Sequence, residues 1–215
     1  MPTELRIDFV SDVSCPWCII GLRGLEMALA NLQPEITAEI RFHPFELNPQ
    51  MGPEGENIVE HIGHKYGASP QQSAETRQMI KLRAADLGFD MRMTENSRIY
   101  NTFDAHRLLH WAALEGRQHA LKHALFSAYF TDNRNMSDHD VLLVAAAKSG
   151  LDAEMARKVL AEGRFAEEVR AAQRFYRDQG IHAVPAIIIN GRYLISGGQP
   201  VELFEKALRQ IAAAA

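Results

Sequence analysis

The sequence predicts an α/β protein in which a large all-helical insertion separates a β-α-β half from a β-β-α half. Three observations carry this. Leu5, Ile7 and Phe9 alternate at period two immediately before a helical pattern. From about residue 57 to about residue 163 the apolar spacing is helical. Near the end, Ala186-Ile187-Ile188-Ile189 and Arg192-Tyr193-Leu194-Ile195-Ser196 flank Asn190-Gly191, a strong hairpin signal. The expected organisation is 1–56 as the first half of one α/β unit, 57–163 as the insertion, and 164–215 as the second half.

In chain order, the strand Leu5 to Val10 hands over to a helix whose apolar face carries Cys18, Leu22, Leu25, Leu29 and Leu32. Asn31 to Pro34 break it. Ile36 to Phe42 alternate as a second strand, and Gln50 to Glu56 read as a Gly- and Pro-containing loop. Ser69-Pro70 marks a helix start, serine as N-cap and proline at the first position. Further helices are expected from about Arg98 to Glu115, from Gln118 to about Phe130, after Ser137 as N-cap, and after Asp152. Another, from about Arg164 to Gln179, stops at Gly180. After the hairpin, Gly197-Gly198-Gln199-Pro200 leads into a final helix with Leu203, Phe204, Leu208 and Ile211 on one face.

The chemistry centres on Ser14-Cys15-Pro16-Trp17-Cys18, which holds both cysteines of the chain. Pro16 suits the first helical position, because its missing N–H is one the helix leaves unpaired. Cys15 then falls at the N-cap and Cys18 one turn in. A sulfur at a helix N-terminus faces unpaired N–H groups and the positive end of the dipole, which favour thiolate over thiol. Cys15 is therefore expected to be the exposed nucleophile and Cys18 its inward-facing resolving partner. Residues three apart on a helical turn are close enough for a disulfide, so the pair can cycle between dithiol and disulfide. Half a zinc site is the competing reading, but zinc usually takes four protein ligands and no second cysteine pair exists. Inert core thiols are the other. A lone Cys-x-x-Cys at a strand-to-helix junction favours redox use.

Bulk properties set the frame. The 215 residues, 47% hydrophobic and 23% charged, describe an ordinary globular protein. A net charge of −4 argues against nucleic acid or an anionic membrane as main partner. No apolar run approaches transmembrane length. The first residues lack a basic segment followed by an apolar core, so the cytoplasm is the expected compartment. There a lone Cys-x-x-Cys is more often catalytic than structural.

Other residues carry weaker signals. His106 and His110, like His119 and His123, stand at i,i+4, a spacing that can bind metal. Neither pair has an acid where a zinc-protease motif places one, since Arg107 follows His106 and Lys122 precedes His123. No metal is assigned. Gly197-Gly198 lacks the glycine spacing and lysine of a phosphate loop. Trp17 adds no charge to the motif; its indole either covers a sulfur or a substrate, or simply packs. Asp12 is either a hydrogen-bond acceptor or proton carrier for the motif, or a plain loop carboxylate. Pro185, just before an apolar strand, marks an edge or a turn.

The chain resembles the thioredoxin fold, more closely the DsbA branch, and within it the FrnE-like proteins. The matching stretches are Asp12-Val13-Ser14-Cys15-Pro16-Trp17-Cys18, Phe45-Glu46-Leu47-Asn48-Pro49, Asn101-Thr102 with Ala105-His106-Arg107-Leu108, and Val184-Pro185 with Ser196-Gly197-Gly198-Gln199-Pro200. The resemblance implies a thioredoxin-like fold and dithiol–disulfide exchange through Cys15 and Cys18, with Pro16 and Trp17 supporting. It also implies a cis Pro185 beside the pair, which would keep a backbone N–H away from the sulfur and turn the Val184 backbone toward an extended substrate. Some relatives carry a second cysteine pair near the C-terminus; this chain has none, so an internal relay is excluded.

The leading expectation is a thiol–disulfide oxidoreductase or isomerase. It needs no bound cofactor beyond a Cys15–Cys18 disulfide. Its partners are a thiol or disulfide substrate and an external thiol system, glutathione being a candidate co-substrate, and a homodimer is compatible with the sequence. The alternative is a glutathione-dependent transferase or isomerase of the kappa-class or hydroxychromene-carboxylate isomerase type, which generally show serine where this chain has Cys15. A third possibility is a chaperone-like binder.

Overall fold

A computed structural model describes residues 2–214. The chain runs β1 (Thr3–Ser11), α1 (Pro16–Asn31), β2 (Ile36–Pro44), β3 (Glu56–Asn57), α2 (Ile58–Tyr66), α3 (Pro70–Asp86), β4 (Arg98–Ile99), α4 (Phe103–Leu114) and α5 (Gln118–Phe126). A π-helical turn over Ser127–Thr131 follows. Then come α6 (His139–Lys148), α7 (Ala153–Ala161), α8 (Ala166–Asp178), β5 (Ala186–Ile189), β6 (Tyr193–Ser196) and α9 (Val201–Ala213). The architecture is the expected one, a thioredoxin-like fold with a helical insertion.

The main sheet has the order β2-β1-β5-β6. β1 and β2 are parallel, with Ile7 opposite Ile40 and Phe9 opposite Phe42. β5 lies antiparallel on the other side of β1, with Ile7 opposite Ile189 and Val10 opposite Ala186. Period two holds on one face: Leu5, Ile7 and Phe9 are fully buried and share a core with α1, α9 and the insertion. Val10 is buried too, because α8 covers the second face, where Val10 and Ala186 pack with Tyr176 and Ile181. That cover reaches only the C-terminal end of β1: Glu4 and Arg6, earlier on the same face, stay exposed.

Local signals set most helix ends. The Ser69 hydroxyl accepts from the Gln72 amide while the Gln72 side chain accepts from the Ser69 amide, a reciprocal capping box. Asp152 caps α7 by accepting from the Met155 amide. Two expectations are corrected and one is refined. Arg98 and Ile99 do not begin a helix; they pair antiparallel with Glu56 and Asn57 in a small second sheet. The Asn101 side chain then accepts from the Phe103 amide, and helix begins only there. The helix expected from Gln118 to about Phe130 has that extent, but it is α-helical only to Phe126 and widens into the π turn, where the Asp132 amide donates to the Ser127 carbonyl. Asp138, not Ser137, caps α6, accepting from the Asp140 amide.

Candidate active site at the N-terminus of the first helix

Cys15 is the N-cap of α1, in extended conformation, with Pro16 at the first helical position. Its side chain makes no capping bond, so the sulfur is free of the helix it begins. The Cys18 amide donates to the Cys15 carbonyl at 3.0 Å, placing Cys18 one turn in and fully buried. Both thiols are free. The expectation that Cys15 is exposed is corrected: only 3% of its surface is accessible. The cause is a segment far away in sequence. The Cys15 Sγ donates to the Val184 carbonyl oxygen at 3.6 Å.

That segment is seated by glycines. The Val184–Pro185 bond is cis. The Pro185 carbonyl accepts from the Gly197 amide at 2.8 Å. A Cβ on Gly21 would stand 3.1 Å from Pro185 Cγ and 3.3 Å from Gly198 Cα; one on Gly198 would stand 3.0 Å from the Trp17 carbonyl oxygen. Missing side chains on α1 and on the loop after β6 thus let Pro185 lie against the redox helix. This is the structural use of Gly197-Gly198.

Behind the cysteines lies a buried polar cluster. Asp12 is 1% exposed. Its two carboxylate oxygens accept from the Ser14 amide at 3.3 Å and the Leu47 amide at 2.7 Å. The His106 Nε2 stands 3.5 Å from Asp12 and 3.0 Å from the Phe45 carbonyl oxygen. Burial alone would raise the Asp12 pKa, but His106, the Leu47 amide and Thr102 together hold it below the usual carboxylate value. Asp12 is therefore no plain loop carboxylate. Arg107, 4% exposed, ties α4 to the carbonyls of Val159, Leu160 and Arg164 at the end of α7.

A family model described as the DSBA-like thioredoxin domain matches residues 6–209. The chain belongs to the DSBA-like thioredoxin domain family. Among curated proteins it is 28% identical to the uncharacterized protein YwbO of Bacillus subtilis (strain 168) over 206 residues, covering 95% of this chain and 96% of that protein. Among solved structures it is similar to a probable DsbA oxidoreductase, SCO1869, from Streptomyces coelicolor. That match has a TM-score of 0.91 at 35% identity, over 98% of this chain and 90% of the other. The cytosolic disulfide reductase DsbM from Pseudomonas aeruginosa shares the fold, with a TM-score of 0.65 at 19% identity over 98% and 100% of the two chains.

In this DSBA-like chain one charged residue escaped the sequence reading. Lys122 of α5 is fully buried, and its ammonium has no hydrogen-bond partner among the described residues. It sits over the rings of Phe126 and Phe42, 4.9 and 5.8 Å from their centres. Burial lowers its pKa to about 8, against the pull of Cys18, Asp12 and Cys15. Burial pushes the Cys18 thiol well up and Cys15 pushes it further, while Lys122 draws it back. No motif marks Lys122; a lysine within a helical pattern reads as a solvated one.

The rim comes from the insertion. The Arg83 guanidinium of α3 lies over the Trp17 ring, 5.6 Å from its centre, so Trp17 packs partly against the insertion. Tyr66 at the end of α2 is 63% exposed, and its pKa is raised by partial burial and by Cys15. A cavity of about 620 Å³ opens beside β2; His106, Lys122 and Phe42 line it, and neither cysteine does. The structure thus brings Cys15, Cys18, Trp17, Val184 and Pro185 together. Among the described residues no helix is long and apolar enough to cross a membrane.

Proposed function

We propose that this protein is a thiol–disulfide oxidoreductase or isomerase working through a mixed disulfide on Cys15. The observation that carries the reading is the placement of Cys15 at the mouth of α1, facing the Val184 carbonyl, with Cys18 buried one turn behind it. The Cys15 thiolate attacks a substrate disulfide, and one substrate sulfur leaves as a thiolate that takes a proton. Cys18 then loses its proton, attacks the Cys15 sulfur and expels the second substrate thiol, leaving a Cys15–Cys18 disulfide. An external thiol, glutathione in this proposal, reduces that disulfide and is itself oxidised.

The surrounding residues fit these steps. Ionisation of Cys15 ends its donation to the Val184 carbonyl, which is then free to accept from an extended substrate backbone. Pro185 offers no N–H that would compete for the sulfur. Lys122, with a pKa near working pH, favours the thiolate of Cys18. Within the family, the motifs Phe45 to Pro49, Asn101-Thr102 with Ala105 to Leu108, and Ser196 to Pro200 support placement in the FrnE-like branch. Cytoplasmic residence fits a dithiol with no other cysteine to protect.

Glutathione-dependent reduction of insulin disulfides and refolding of scrambled ribonuclease test the proposal. Activity in either assay, lost in Cys15→Ser, is the expected result. Stoichiometric glutathione binding without redox activity would instead favour the glutathione transferase or isomerase reading.

A further inference from the structure

The two histidine pairs meet different fates. His106 is bound into the cluster around Asp12, and His110 packs on the Phe165 ring, 5.1 Å between centres. His119 and His123, on consecutive turns of α5, both turn toward Glu26 of α1. Their Nε2 atoms lie 2.9 and 2.6 Å from the same carboxylate oxygen, Glu26 Oε1. The acid that the sequence lacks beside these histidines is supplied by another helix.

We infer that Glu26, His119 and His123 form a binding site for a divalent first-row transition ion, zinc by ligand type, which clips the insertion to the helix bearing the cysteines. Two imidazoles and one carboxylate are a borderline-soft donor set suited to zinc, with a fourth position for water. The donor atoms all lie within 4.8 Å of one another. Around a four-coordinate ion with bonds of about 2.0–2.1 Å, ligand atoms stand roughly 3.3 Å apart. The two imidazole–Glu26 distances therefore have to open by less than about 1 Å, and the two imidazole nitrogens to close by at most about 1.5 Å, with the ion taking the place of the direct contacts that now join both rings to Glu26. His119 has the freedom to move, since its side chain is 52% exposed.

The carboxylate is also oriented in advance. Arg23 holds the other oxygen, Glu26 Oε2, at 3.0 Å, and is itself fixed by donating to the Leu87 carbonyl. Glu26 thus presents Oε1 as a single-oxygen ligand with an outer-shell partner, the arrangement that tunes metal affinity elsewhere. A bare hydrogen-bonded clamp between α1 and α5 would use the same geometry without binding an ion, so the test has to read the ion.

The full-length, tag-free Cys15→Ser/Cys18→Ser protein removes the competing thiols. Titrated with cobalt(II), it is expected to bind one equivalent with visible d–d absorption that zinc abolishes, and zinc is expected to raise its Tm. His123→Gln in the same background keeps an amide to donate to Glu26 but removes the imidazole ligand. It is expected to bind at least about tenfold more weakly and to lose the zinc-dependent rise in Tm, with unchanged circular dichroism. Arg23→Gln, which leaves all three ligands, is expected to weaken binding about 10–100-fold. Absence of saturable cobalt binding, or equal affinity in His123→Gln, overturns the proposal.

Discussion

The thiol of Cys15 and the carbonyl of Val184 meet at 3.6 Å across 169 positions of sequence. The contact depends on a proton: a thiol donates to a carbonyl, whereas a thiolate is repelled by it. Cys15→Ala should therefore loosen the 184–185 segment, while Cys15→Ser keeps a donor and holds it. Gly197, whose amide donates to the Pro185 carbonyl, reports on this. Amide exchange there is expected to be faster in Cys15→Ala than in the wild type or Cys15→Ser. Equal rates in all three proteins would show that the contact anchors nothing.

The two cysteines should fail differently. Cys18→Ser is expected to attack substrate and accumulate a mixed disulfide on Cys15, visible by mass spectrometry without reductant. Cys15→Ser is expected to trap nothing, because Cys18 is fully buried. The reverse pattern would exchange their roles.

Gly21 tests the seat of Pro185. Gly21→Ala places a methyl 3.1 Å from the proline ring and 3.3 Å from Gly198. A loss of about 1–3 kcal/mol is expected, as for other overpacked sites, together with slower thiol exchange. Gly63→Ala is the contrast. It lies within α2, and its added methyl meets nothing nearer than 3.6 Å. It should gain about 0.5–1 kcal/mol, since alanine loses less backbone freedom in a helix. Thermal unfolding, at about 2–4 °C per kcal/mol for a chain of this size, separates the two.

Lys122 should oppose stability and favour chemistry. Its folded pKa, about 8, lies below its ordinary 10.5, so the unfolded chain binds more protons between these values. The cost of burying the ammonium is fully present below pH 8 and disappears as pH rises toward 10.5. Lys122→Met should thus be more stable than the wild type at pH 7, by about 1–4 kcal/mol, with the advantage shrinking above pH 8. Resolution by Cys18 should slow, leaving more mixed disulfide at steady state. A variant less stable at pH 7 would contradict this account.

Asp12 should behave in the opposite sense. Its folded pKa is depressed below 3.8, so its contribution is present above that value and lost as pH falls through the folded pKa. Asp12→Asn should be less stable at neutral pH by about 1–3 kcal/mol, because an amide accepts more weakly from Leu47 and no longer pairs with His106. The wild-type and variant unfolding curves are expected to converge in acid. Parallel curves would remove Asp12 from the acid transition.

What the sequence disclosed follows from the range of each signal. Ser69-Pro70, Asp152 and Asn190-Gly191 act on their own backbone, and each stands where it was read. Cys15 and Cys18 were legible because their spacing is itself local. The burial of Cys15 was not, since the covering segment lies at Val184. Arg98 read as helix because its partner strand, at Glu56 and Asn57, gives no local sign of pairing. Lys122 and Glu26 were invisible for the same reason: each gains its meaning from residues on another helix.

The strand order carries a consequence for synthesis. β1 pairs with β2 as soon as the first 44 positions are made, but its other edge waits for β5. At about 5–20 residues per second, the 169 positions from Cys15 to Val184 take roughly 10–30 s to emerge from the ribosome. Throughout that interval a central strand carrying Leu5, Ile7 and Phe9 presents an open edge, and Cys15 lacks its contact with Val184. The nascent chain is thus most prone to mispairing, and its cysteines most open to chance oxidation, before about its last seventh is made.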